Sequence, residues 1–192
     1  MLKLGSRTVL LPVDLQRAFD GAPWPPRNNP AADENGLALL AAWRQNGWPV
    51  IHVRHDSIVP GSTLGPGMPG HSFRPGFAPR EGEALVTKSV NSAFIGTDLD
   101  LRLKRLQAEE VVVFGISTDM CVSTTVRTGA NMGWRMILAA DACFCFDQRD
   151  LDGTLIPAET MHRAHLATLA AEFATVLSTA ALLEAARPGR SS

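Results

Sequence analysis

Three residues of different chemistry stand just beyond apolar runs in this chain. Asp14 closes RTVLLPVD, Lys88 closes ALVTK, and Cys121 follows VVVFG and a short polar turn. A carboxylate can carry a proton, an ammonium can hold neighbouring charge, and a thiol can attack a carbonyl carbon. A thiol placed where a strand gives way to a helix is favoured as thiolate by the unsatisfied N–H groups of the helix start. The backbone before and at Cys121 can supply donors to a developing oxyanion. Lys88 would act chiefly by charge, favouring both ionised Cys121 and ionised Asp14, so the three groups titrate as a coupled set.

Such residues meet only if the runs that precede them lie side by side, and the periodicity says that they do. Residues 7–13 predict a strand buried on both faces, rich in Val and Leu without polar alternation. A helix is expected over 36–46, with Leu37, Leu40 and Ala41 on one side and Asn46-Gly47 as its stop. PVIHVR gives a second strand. Thr97 and Asp100 have capping-box spacing ahead of a helix that carries Leu99, Leu103 and Leu106 on one face. A strand over 111–114, a helix over 121–132 and a strand over 135–140 follow. A long helix over 158–172, a short strand over 175–179 and a last helix over 180–186, capped by Thr179, complete the series. Apolar runs separated by helices, without tight hairpin turns, specify an α/β fold: a three-layer α/β/α sandwich with a mainly parallel, Rossmann-like central sheet. In that architecture the ends of the strands share one edge, where ligands bind.

The chain has 192 residues, which fits one domain over 1–187 and a disordered tail at 188–192. Eighteen basic and nineteen acidic residues leave a net charge of -1 without long blocks of either sign, so neither nucleic acid nor an anionic membrane surface is expected as a partner. Small molecules fit better. Three cysteines are too few and too odd in number for a disulfide framework, and no leader or membrane-spanning run is visible, so a cytoplasmic protein is expected.

Between Ser57 and Gly82 lie six Gly and five Pro, which exclude a regular helix or central strand. His71, Phe73, Arg74, Phe77 and Arg80 are costly residues for plain linker, so part of the segment is a candidate pocket cover. Asn91 and Phe94 follow Lys88 closely enough to line the same cleft, one with an amide and the other with an apolar wall. Each also has a plain role, as helix cap and as core aromatic. Phe19 and Trp24 offer a second wall near Asp14, and His55 stands just beyond the second strand, placed to orient a substrate or brace the loop. His52 reads as a core residue. Cys143 and Cys145 read as packed thiols, and His162 and His165 as surface or interface residues.

Three ordered motifs, LLPVDLQRAF, TKSVNSAFIGTDL and GISTDMCVSTTVRTGANMGW, resemble the isochorismatase-like superfamily of cysteine hydrolases. That superfamily includes nicotinamidases, carbamoyl-amide hydrolases and ureido-compound hydrolases. The resemblance runs over nearly the whole chain and implies a catalytic aspartate at Asp14, lysine at Lys88 and nucleophile at Cys121. It also implies a cis peptide at Ile116–Ser117, with the N–H groups of Ser117 and Cys121 forming an oxyanion hole. Nicotinamidase-like members carry an aspartate and histidines for a metal after the second strand. Here the stretch reads HVRHDS, with His71 later and no regular ligand spacing, so neither a metal nor an organic cofactor is expected. The activity implied is hydrolysis of a C–N bond in a small amide or ureido compound through a thioester. Two alternatives are an isochorismatase-type vinyl-ether hydrolase and a non-enzymatic redox-sensing thiol protein. Because family members commonly assemble, a homo-oligomer, most simply a dimer, is expected.

Overall fold

The computed structural model describes residues 2–21 and 24–187. The expected tail at 188–192 lies outside the described residues. Six strands form a single parallel sheet: β1 (Thr8–Val13), β2 (Ile51–His55), β3 (Ala84–Lys88), β4 (Glu110–Ile116), β5 (Arg135–Phe144) and, after a small hairpin of β6 (Gln148–Arg149) and β7 (Leu155–Ile156), β8 (Thr175–Leu177). Their order is β3-β2-β1-β4-β5-β8. The chain therefore builds outward from β1 in one direction and then crosses to build in the other. The reversal falls between β1 and β4, the position where open parallel sheets leave a crevice beyond their strand ends.

β1 and β4 are buried along their whole lengths, as two central strands covered on both faces must be. The helices are α1 (Ala32–Asn46), α2 (Leu99–Arg105), α3 (Ser123–Asn131), α4 (Ala158–Glu172) and α5 (Thr179–Ala185). α1 packs with α5, and α3 with α4, to give the outer layers of the sandwich. Trp43 of α1 is fully buried and donates its indole N–H to the Thr8 carbonyl at 3.0 Å. Gly47, at φ 65, ends α1 in the left-handed conformation that glycine adopts without strain.

The differences from the sequence reading are local. α1 begins at Ala32 rather than at 36, and the last helix is capped by the Ser178 side chain, which accepts from the Ala181 N–H at 3.2 Å, rather than by Thr179. β5 runs to Phe144 because it bulges: Val113 pairs with Leu138, yet Gly115 pairs with Cys143. Asp141, inside that bulge, accepts from both the N–H and the hydroxyl of Thr179 at 2.7 Å. The Gly- and Pro-rich segment from Ser57 to Gly82 contains one short 3-10 turn, Pro69–His71. It is fastened by Phe77, buried in the core, and by Arg74, which bonds Asp20 and Asp33.

Candidate active site

Close strand packing brings the three chemical residues together. At Gly115 the backbone turns to φ 141, and a Cβ there would lie 2.1 Å from the Val13 carbonyl oxygen. Only glycine lets β4 lie this close to β1 just where Asp14 emerges. Asp14 has φ 53, and its N–H donates to the Val53 carbonyl at 2.9 Å. Gln16 then ties three segments together. Its side-chain amide donates to the carbonyls of His55 and His71, each at 3.0 Å, and accepts from the His55 N–H at 2.8 Å. Lys88, the last residue of β3, is in register with His55, the last residue of β2.

Beyond β4 the Ile116–Ser117 peptide is cis, at the position where the resemblance implied one. The residues that follow do not open a regular helix. Thr118–Val122 form a π-helical turn, with the Val122 N–H donating to the Ser117 carbonyl at 3.1 Å, and α3 starts only at Ser123. Cys121 sits in this turn, a kind of irregularity found mostly at functional sites. A buried histidine on α4 steadies it. Asn29 Nδ2 donates to His162 Nε2 at 3.3 Å, leaving His162 Nδ1–H to donate to Thr118 Oγ1 at 2.8 Å. His162 is thus an interior brace, not the surface residue that its helix spacing suggested.

At the centre stands the Lys88 ammonium. Its Nζ lies 2.6 Å from Asp14 Oδ2, 3.1 Å from His55 Nδ1 and 3.4 Å from Cys121 Sγ. The side chains of Asp14 and Lys88 are fully buried. One ligand atom from each of Asp14, His55 and Cys121 lies within 4.8 Å of the others. A carboxylate, an imidazole and a thiol at such distances can hold a divalent ion, but here the chain's own cation lies among them. Asp56 is likewise engaged, accepting from His71 Nε2 at 2.6 Å and Arg54 Nε at 3.0 Å.

The charges favour a particular resting state. Burial pushes the Asp14 carboxyl above its usual range while the Lys88 charge pulls it down. Burial and the negative charge of Asp14 push the Cys121 thiol up to about 12 against the opposing pull of Lys88. A thiol beside a lysine-bound carboxylate therefore prevails over the preformed thiolate expected from a helix N-terminus. Burial, then Lys88, holds the His55 imidazole below its usual range, so it is neutral near pH 7. Asp14 Oδ1 has no hydrogen-bond partner among the described residues, which leaves an acceptor for the thiol proton.

A cavity of about 220 Å³ opens over Cys121. Of the residues expected to contact substrate, Phe19, Trp24, His55 and Asn91 line it, and so does Ser117. Asn91 Oδ1 is 3.9 Å from the Cys121 sulfur. Phe94 does not line it. Its ring is buried in the core against the position of Gly129, the alternative role its sequence context allowed. The Ser117 N–H makes no hydrogen bond among the described residues. Of the 57–82 segment, Leu64 reaches the cavity. Phe146, Asp119 and Gln148 also line it and were not singled out in the sequence. Asp119 accepts from the Ser117 hydroxyl and from Gln148 Nε2, both at 2.5 Å. The alternation of Phe144 and Phe146 with Cys143 and Cys145 was the only signal for Phe146.

Comparison with known proteins supplies the relatives of this arrangement. The Isochorismatase domain family matches residues 8–181. The uncharacterized isochorismatase family protein YrdC of Bacillus subtilis is 42% identical, over 92% of this chain and 95% of its own. The crystal structure of an isochorismatase-family protein from Chromobacterium violaceum superposes with a TM-score of 0.92 at 44% identity, covering 96% of each chain. A cysteine hydrolase from Pseudomonas syringae superposes with a TM-score of 0.86 at 26% identity, covering 97% of each.

Proposed function

This chain belongs to the isochorismatase-like superfamily, which includes cysteine hydrolases such as nicotinamidases, and we propose that it hydrolyses a C–N bond of a small amide, ureido or carbamoyl compound through a thioester on Cys121. The observation that carries this reading is the cluster of buried Asp14 with half-buried His55 and Cys121, gathered on the Lys88 ammonium at the cavity floor.

Asp14 accepts the Cys121 proton as sulfur bonds to the carbonyl carbon, and the N–H groups of Ser117 and Cys121 receive the oxyanion. The tetrahedral adduct collapses by breaking the C–N bond, and Asp14 returns the proton to the departing amine. Water then attacks the thioester, giving a proton to Asp14 that passes to the leaving sulfur, so acid product and free thiol are formed. Lys88 keeps Asp14 placed and stabilises negative charge as it moves between oxygen and sulfur. His55 bounds the site as a neutral group. No step calls for a metal or an organic cofactor. Protonating a vinyl ether requires no thiol, so the presence of Cys121 favours the amide reading.

The test is ammonia release from a panel of small amides, carbamoyl amino acids and ureido acids by the wild-type protein and by Cys121→Ala. Turnover lost in the variant supports the proposal. Turnover retained, or peroxide-dependent modification of Cys121 with no turnover on any compound, contradicts it.

We also propose a homo-oligomer, most simply a dimer, a single domain over residues 1–187, and a reducing cytoplasmic setting. The small residues of α3 and α4 favour close helix packing, and all three cysteines are free. No helix among the described residues is long and apolar enough to cross a membrane.

A further inference from the structure

The walls of the cavity are aromatic and its fixed charges are negative. Phe19, Trp24 and Phe146 form a continuous wall, with ring centroids 5.0 Å apart for Phe19–Trp24, 4.8 Å for Trp24–Phe146 and 6.2 Å for Phe19–Phe146. A volume of about 220 Å³ accommodates a six-membered ring with an amide attached, since an apolar cavity of about 150 Å³ already takes benzene.

Asp14, Asp119 and Asp147 line this space, whereas no lysine or arginine does so among the described residues. Four cations of the neighbouring segments are held by carboxylates. Lys88 is held by Asp14. Arg27 and Arg74 both bond Asp33, and the Arg27 guanidinium stands 4.1 Å from the centre of the Phe144 ring. Arg54 bonds Asp56. A carboxylate entering the cavity would lose water and meet acidic neighbours, with no lysine or arginine on the lining to replace its hydration and the Lys88 charge at the floor already paired with Asp14.

Resting on the amide reading above, we propose that the site selects compact amides whose ring or apolar group packs on the Phe19–Trp24–Phe146 wall and rejects substrates that carry a carboxylate. Ureido acids, carbamoyl amino acids and dicarboxylate vinyl ethers therefore fall outside its range, and neutral amides within it.

The experiment compares 4-nitrobenzamide with 4-carboxybenzamide, which match in shape and differ in charge. Each is scored by kcat/KM and, independently of turnover, by protection of Cys121 from iodoacetamide at a pH where the ligand-free protein is fully alkylated within the assay. The nitro compound is expected to exceed the carboxylate by at least about a hundredfold, and Leu64→Arg, which places a cation on the wall, should narrow that ratio by about tenfold or more. Equal or greater protection by the carboxylate, no protection by either compound, or an unchanged ratio in Leu64→Arg overturns the proposal. If neither compound turns over while the nitro compound alone protects, charge selection stands and the amide reading fails.

Discussion

Lys88 touches three groups at once, and this decides which proton moves first. Because the thiol is pushed up to about 12, and burial raises the Asp14 carboxyl while Lys88 pulls it back toward the ionised form, the cysteine becomes a nucleophile only as Asp14 takes its proton. Asp14→Asn should therefore lower kcat by roughly a hundredfold or more with the fold retained, as steady-state assay and circular dichroism will show. The pH profile follows from the same charge. Asp14 must be ionised to act, and its folded pKa lies above the ordinary 3.8, so kcat/KM should fall as pH drops through a value above 3.8. An acid limb at or below 3.8 would disconnect it from Asp14. Lys88→Met removes the one charge that pulls the Cys121 pKa down, so alkylation followed against pH should shift to higher pH. An unchanged titration would mean that the lysine does not act on the sulfur.

Each strand end was legible in the sequence because a run buried on both faces is continuously apolar and stops at a polar residue. Asp14, Lys88 and Cys121 were found in that way. The π-helical turn that carries Cys121 was not, since its residues have no periodicity that separates it from the first turn of α3. Phe94 was left between two roles for a related reason: beyond a strand end, a core aromatic and a wall aromatic look alike in sequence. Gln16 lay within the first motif, yet its grip on His55 and His71 depends on partners far along the chain. Glu83, just before β3, is another such tie. Burial opposes its charge, but Arg44, the Arg80 N–H and His52 hold its pKa at about 2. The folded value lies below the unfolded 4.5, so the stabilisation is present above 4.5 and lost as pH falls toward 2. Glu83→Gln should cost about 2 kcal/mol in urea denaturation at pH 7, with the gap from wild type narrowing at pH 3.5. A gap that is constant with pH would contradict the charged tie.

At the scale of the whole molecule, the order β3-β2-β1-β4-β5-β8 explains why residues from three distant motifs share one crevice, since the direction of strand addition reverses between β1 and β4. The parallel architecture was readable because βα alternation leaves few topologies. The β5 bulge and the β6–β7 hairpin were not, because both depend on what docks against them. Light scattering at assay concentration should give a multiple of the 20.6 kDa chain mass, and a fully active monomer would contradict the proposed assembly. The central claim concerns a bond that forms and breaks on one residue, so the most direct measurement is intact mass after rapid acid quench during turnover of a small amide, with peptide mapping. The account predicts an acyl increment on the peptide containing Cys121 that disappears as substrate is exhausted and is absent in Cys121→Ala. Sustained turnover with no adduct on Cys121, or near-wild-type turnover by Cys121→Ala, would contradict it.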